Sequence, residues 1–154
     1  MAGQKLLLPF NFTNYDRKAL DFVIRTFANL SDIEISLFNA YTPVPEIETS
    51  DASVTAKLKD QLRYLTTKVS EQETALQAVK QDLIQNGFAE STINCIFKAR
   101  KKDVATEIIN LVSSEGYDLI VLNHKPGKVS RFFTGSAYNK IVSALKGITV
   151  CIVS

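Results

Sequence analysis

Residues 118–136 constrain the fold more than any other stretch. Leu119, Ile120, Val121 and Leu122 form a short, wholly apolar run behind an acidic start at Asp118. That is the pattern of a strand buried on both faces of a parallel sheet. The run empties into a polar loop with the chain's only histidine, His124, followed by Lys125, Pro126, Gly127 and Lys128. The loop closes at Thr134, Gly135 and Ser136, and a helical pattern follows. Gly135 permits backbone conformations that other residues resist, and Ser136 is a favoured N-cap type. Strand, basic loop and helix N-terminus together make a candidate anion site, because the first amides of a helix lack partners of their own. A plain crossover loop with solvated lysines accounts for the same residues.

The rest of the chain alternates strand and helix patterns. Residues 5–10 (KLLLPF) read as a first strand, and Ala19, Leu20, Val23, Phe27 and Leu30 recur at helical spacing over 15–30. Residues 33–41 (IEISLFNAY) are rich in β-branched and aromatic types and suit a second strand. Residues 42–53, stiffened by Pro43 and Pro45, are irregular. A long helix is expected over 54–85, with Leu58, Leu62, Leu65, Val69, Leu76, Val79 and Leu83 on one stripe. Such a stripe serves a coiled coil or, as favoured in a chain of βαβ units, a helix covering one sheet face. Gly87 ends that helix as a C′ residue. A strand over 93–97 runs into the basic knot Lys98, Arg100, Lys101 and Lys102, read as solvated surface, and Asp103 caps a helix reaching Gly116. Strand 118–122, helix 136–146 and strand 148–153 complete an open, doubly wound α/β fold with five parallel strands, Rossmann-like, in one domain spanning 1–154. Its ligand crevice is bounded by the loops after Phe10, Tyr41, Phe97 and Leu122.

Composition excludes several function classes. A net charge of +2 gives no global field for nucleic acid or anionic membrane. Cys95 and Cys151 fall in apolar runs and read as buried reduced thiols. The N-terminus has neither a charged signal region nor a membrane-length apolar span, so a cytoplasmic location is expected. There is no G-x-G-x-x-G after the first strand, no Walker loop, no metal-ligand spacing and no nucleophile elbow. No catalytic residue is assigned.

KLLLPFNFT at the start, EGYDLIVLNHKPG in the middle, the pair Gly135 and Ser136, and the closing ITVCIVS resemble the universal stress protein family, in order and over essentially the whole chain. The resemblance implies a five-stranded parallel sheet and a cytoplasmic stress-response protein. In the family's nucleotide-binding branch, ATP lies at the strand carboxyl ends with its phosphates on a G-x2-G-x9-G-[ST] loop. Gly135 and Ser136 match the end of that pattern. Its first glycine falls on Asn123 and its second on Lys125 or Pro126, with Gly127 nearby. The family's Asp at the end of the first strand is here Asn11. For ATP or another adenine nucleotide, the resemblance implies phosphate contacts from the backbone of Gly127, Gly135 and Ser136. Lys125, Lys128 or Arg131 would add charge, and Asn11 and residues near Tyr41 would meet the base or ribose. No metal site is evident. The expected function is a small-ligand or adenine-nucleotide sensor module without catalysis of its own. The alternatives are a dimeric interaction protein and a slow ATPase. A homodimer is expected through the last strand, whose apolar edge carries no lysine or proline to deter pairing.

Overall fold

The leucines of the first strand set the layers. A computed structural model describes residues 3–13, 16–46, 52–123 and 135–154, apart from the side chains of 52–55 and 135–137. In β1 (Gln4–Pro9), Leu6 and Leu8 point to one face and Leu7 to the other, as a two-residue period requires. Leu6 and Leu8 pack with Leu20 and Val23 of α1 (Asp16–Phe27) and with Leu76 and Leu83 of α2 (Ala52–Gln85). Leu7 packs with Val104, Ile108 and Leu111 of α3 (Val104–Glu115) and with Ile141 of α4 (Gly135–Ala144). Between these layers lie β2 (Ile33–Tyr41), β3 (Ile93–Ala99), β4 (Leu119–Asn123) and β5 (Thr149–Val153). All pairings are parallel, in the order β3-β2-β1-β4-β5. The fold is therefore an open α/β sheet with helices on both faces.

Several expectations shift at their edges. The helix over 15–30 closes earlier, at Phe27, and β3 runs two residues further than expected, so Lys98 lies inside the strand. Lys98 pairs with the buried Glu107 at 3.2 Å instead of standing in a solvated knot. Asp118 sits just before β4, where its carboxylate accepts the Lys5 amide at 2.8 Å. Asp103 caps α3 as expected, accepting from the Thr106 amide at 2.8 Å. Gly87, at φ 107°, takes the positive-φ conformation that stops α2. Cys95 and Cys151 are free but only half-buried.

The largest departure concerns α2. Its 34 residues reach about 51 Å at 1.5 Å per residue. Only the last turns lie on the sheet. Leu76 and Leu83 are fully buried, whereas Leu65 is 39% exposed and Tyr64 61% exposed. The helix covers the sheet with its last turns, from Leu76 on, and overhangs it with the rest.

Candidate functional site

Strand order reverses between β1 and β4, and the crevice at such a switch point is where open sheets take ligands. β1 leaves the sheet at Phe10, whose amide still donates to the Phe38 carbonyl at 2.8 Å. Phe12 then turns at φ 60°, a left-handed conformation uncommon for an aromatic residue. Its ring meets Phe10 edge-on at 5.4 Å. The turn aims two amides at one point, and that point is the Asp16 carboxylate. Its Oδ2 accepts from the amides of Asn11 (3.1 Å) and Thr13 (2.6 Å) and from the Thr13 hydroxyl (3.2 Å). Its Oδ1 accepts from the side-chain amide of Asn123. Asp16 is 1% exposed. Burial pushes its carboxyl above the ordinary range, while the bonds from Thr13, Asn11 and Asn123 pull the other way.

Asn123 joins three elements. Its Oδ1 accepts from the Ala19 amide in the first turn of α1 at 3.2 Å, and its backbone carbonyl accepts from the Tyr138 hydroxyl at the start of α4. Burial pushes the Tyr138 hydroxyl up to about 12, so it remains a neutral donor at ordinary pH. The β3–α3 turn repeats the device: Glu107 accepts from the amides of Lys101 and Lys102 at 3.0 and 3.4 Å. Burial works to raise the Glu107 carboxyl, but those amides and the Lys98 ammonium bring it below its usual range.

Beside the switch point, a cavity of about 450 Å³ opens between the carboxyl ends of β1 and β2 and the middle of α2. Its size falls within the usual range for small-molecule sites. Asn11, Asn39, Tyr41 and Thr42 line one side, and Leu65, Val69 and Gln72 the other. Tyr41 stacks on Phe97 with centroids 4.5 Å apart, giving a flat aromatic wall. Asn39 follows Ile35 and Leu37 on the α1/α2 face of the sheet. Its Nδ2 donates to the Phe10 carbonyl at 2.7 Å, which fixes which way the amide points. Its Oδ1 is buried and has no hydrogen-bond partner among the described residues. At the rim, the Arg100 guanidinium donates to the Thr42 hydroxyl at 3.3 Å, and Lys68 stands on α2.

Of the residues expected at the site, Asn11 and Tyr41 come together in this cavity. Asn123 does not line it, and its side-chain amide is engaged with Asp16 and Ala19. Gly135 and Ser136 open α4, one residue earlier than the helix expected over 136–146. Lys125, Gly127, Lys128 and Arg131, like His124, lie outside the described residues. Sequence reasoning missed Asp16, Asn39 and Tyr138, as well as the α2 wall. Asn39 left a trace, being an amide inside an apolar strand run. Asp16 left none, because an acidic residue at a helix start is ordinary. Among the described residues, no three His, Cys, Asp or Glu side chains gather as metal ligands, and no helix is long and apolar enough to cross a membrane.

Comparison with known proteins agrees with this architecture. No curated protein sequence matches the chain significantly. Among solved structures, UspA from Lactobacillus plantarum superposes with a TM-score of 0.66 at 13% identity, covering 100% of this chain and 99% of that one. A universal stress protein in complex with cAMP gives 0.61 at 15% identity, covering 100% and 98%. The universal stress protein of Archaeoglobus fulgidus in complex with dAMP gives 0.60 at 12% identity, covering 100% of both chains. At such identities these likenesses speak for the fold. The model of the universal stress protein family matches residues 3–151, nearly the full length, and the chain belongs to that family.

Proposed function

We propose that this protein binds an adenine nucleotide at the carboxyl ends of β1, β2 and β4 and acts as a stress-response sensor, without catalysis of its own. The observation that carries this is Asn39, which lines the cavity and whose buried Oδ1 has no hydrogen-bond partner among the described residues. A buried acceptor without a donor costs about 1–3 kcal/mol, and a ligand N–H that displaced the groups covering it at the cavity wall would recover it. The exocyclic amine of adenine is such a donor, and the face of Tyr41 suits a purine ring. The relatives that hold cAMP and dAMP support the same choice. The phosphate would rest on the first amides of α4 at Gly135 and Ser136, with Lys125, Gly127, Lys128 and Arg131 as further candidates.

Isothermal titration with AMP, cAMP and ATP tests this. Binding heat is expected for the wild type and should be lost in Gly135→Val, whose branched side chain crowds the helix start, while circular dichroism stays unchanged. No heat with any of the three would overturn the nucleotide reading and leave an interaction protein working through the α2 overhang. We also propose a cytoplasmic homodimer through β5. Among the described residues that strand ends the sheet and pairs only with β4, and it leaves Ile152 49% exposed.

A further inference from the structure

The composition of α2 changes along its length. Residues 56–65 (AKLKDQLRYL) and 75–83 (ALQAVKQDL) are built mostly from strong helix formers. Between them lies 66–74 (TTKVSEQET), where Thr66, Thr67, Val69, Ser70 and Thr74 are β-branched or small polar residues of low helix propensity. The weak stretch ends where the helix meets the sheet, at the fully buried Leu76. We propose that residues 66–74 are a joint within α2, and that the arm of helix before it swings as a lid over the cavity lined by Asn39 and Tyr41. This rests on that cavity being the ligand site, but not on which ligand it takes.

Three observations of the structure meet at this stretch. The Thr66, Thr67 and Thr74 hydroxyls donate to the carbonyls four residues back, those of Leu62, Arg63 and Ser70, at 2.8, 2.9 and 3.1 Å. In a helix those carbonyls also accept backbone amides, and sharing them in this way weakens and often bends the helix. Second, little holds the arm down. No residue of 56–75 is buried, and among the described residues no hydrogen bond or ion pair joins a side chain of that stretch to another element. Third, the cavity wall straddles the joint. Val69 and Gln72 lie within it and Leu65 stands just before it, with Tyr41 and Pro43 on the other side of the cavity. A bend between 66 and 74 therefore changes the gap between Leu65 and the sheet while Leu76 and Leu83 stay packed. Lys59 stands about 17 Å from Ser70 along the axis, so a bend of about 20° moves it by about 6 Å.

The test is a distance distribution by double electron–electron resonance on the full chain, without ligand and diluted with unlabelled protein. The background is Cys95→Ala, Cys151→Ala, or Cys95→Ser, Cys151→Ser if circular dichroism shows the first to be misfolded. Nitroxides at Lys59→Cys and Lys101→Cys report the arm against the β3–α3 turn, and Gln77→Cys with Lys101→Cys is the control on the anchored part of α2; all three positions are exposed. The first distribution is expected to be wider than the second by about 6 Å, the displacement of that bend. Thr66→Ala, Thr67→Ala and Thr74→Ala together remove the three hydroxyls and raise helix propensity, and should bring the two widths together. Equal widths before the alanines are introduced would overturn the inference and leave the nucleotide reading standing. Excess width that survives the triple variant would overturn the assignment to 66–74. Narrowing accompanied by a gain in far-ultraviolet helicity would mean that the arm frays instead of swinging, and would overturn the lid.

Discussion

Truncating leucines along α2 should give costs that fall steeply from its carboxyl half to its amino half. Leu76 and Leu83 are 0% exposed and pack in one cluster with Leu6, Leu8 and Leu37. Replacing a fully buried leucine by alanine removes its transfer free energy and leaves a cavity that closes only in part, a cost of about 3 kcal/mol within a range of about 2–5. Leu65 is 39% exposed, borders an open cavity, and has less to lose on both counts, so about 1 kcal/mol or less is expected. For a domain of this size, 1 kcal/mol moves the melting temperature by about 2–4 °C. Leu76→Ala should therefore melt about 6–12 °C below the wild type and Leu65→Ala within about 4 °C of it. Urea denaturation followed by far-ultraviolet circular dichroism measures both, with equal slopes confirming that the same surface unfolds. If Leu65→Ala cost as much as Leu76→Ala, the overhang would be buried in solution, and dependence of the midpoint on protein concentration would show whether a second copy buries it.

Other expectations are simpler to state. Val150→Lys should convert the proposed dimer to a monomer by sedimentation velocity, and a wild-type protein that sediments as a monomer at micromolar concentration would remove the premise. Asp103→Ala loses the Thr106 amide bond and the Lys140 ammonium at the start of α3, and should cost about 1 kcal/mol in urea denaturation. The same variant should alter acid stability. The Thr106 amide leads in holding the Asp103 carboxyl at about 2, below its ordinary 3.8, so its stabilisation is present above pH 3.8 and is lost as pH falls through about 2. Wild type should lose stability across that window more steeply than Asp103→Ala. Asp16 runs the other way: burial raises its folded value, so its contribution is full below pH 3.8 and declines as pH rises through that raised value. Folded Asp16→Asn should therefore lose less stability than wild type on going from pH 4 to 7, and a wild-type curve that rises through the raised value more than the variant's would refute the sign.

The strands and their order of appearance were legible because a two-residue period and wholly apolar runs such as Leu119 to Leu122 admit few other structures. Cap signals also held, at Asp103 and Gly87, because each acts through its immediate neighbours. The α2 stripe misled for a physical reason. A heptad records which residues share a helix face, but not where along the axis the sheet stops, and Leu58, Leu62 and Leu65 have the same spacing as Leu76 and Leu83. The site was half legible. Tyr41 follows from being the last residue of its strand and Asn11 from standing just beyond the end of β1, both local properties. Asn39, Asp16 and Tyr138 matter through partners 29, 107 and 15 positions away, and no spacing rule carries such pairings.

The overhang of α2 has a consequence for how the cavity behaves. Local opening free energies in a folded chain follow contact density, from nearly nothing at poorly packed segments up to the global value in the core. Leu65, Val69 and Gln72 wall the cavity from the stretch 56–75 of the helix, in which no residue is buried, while Asn11, Asn39 and Tyr41 wall it from the sheet. One wall is therefore rigid and the other compliant. A ligand wedged between them would stiffen the compliant one, and amides near the middle of α2 would exchange their hydrogens more slowly although most of them touch nothing bound.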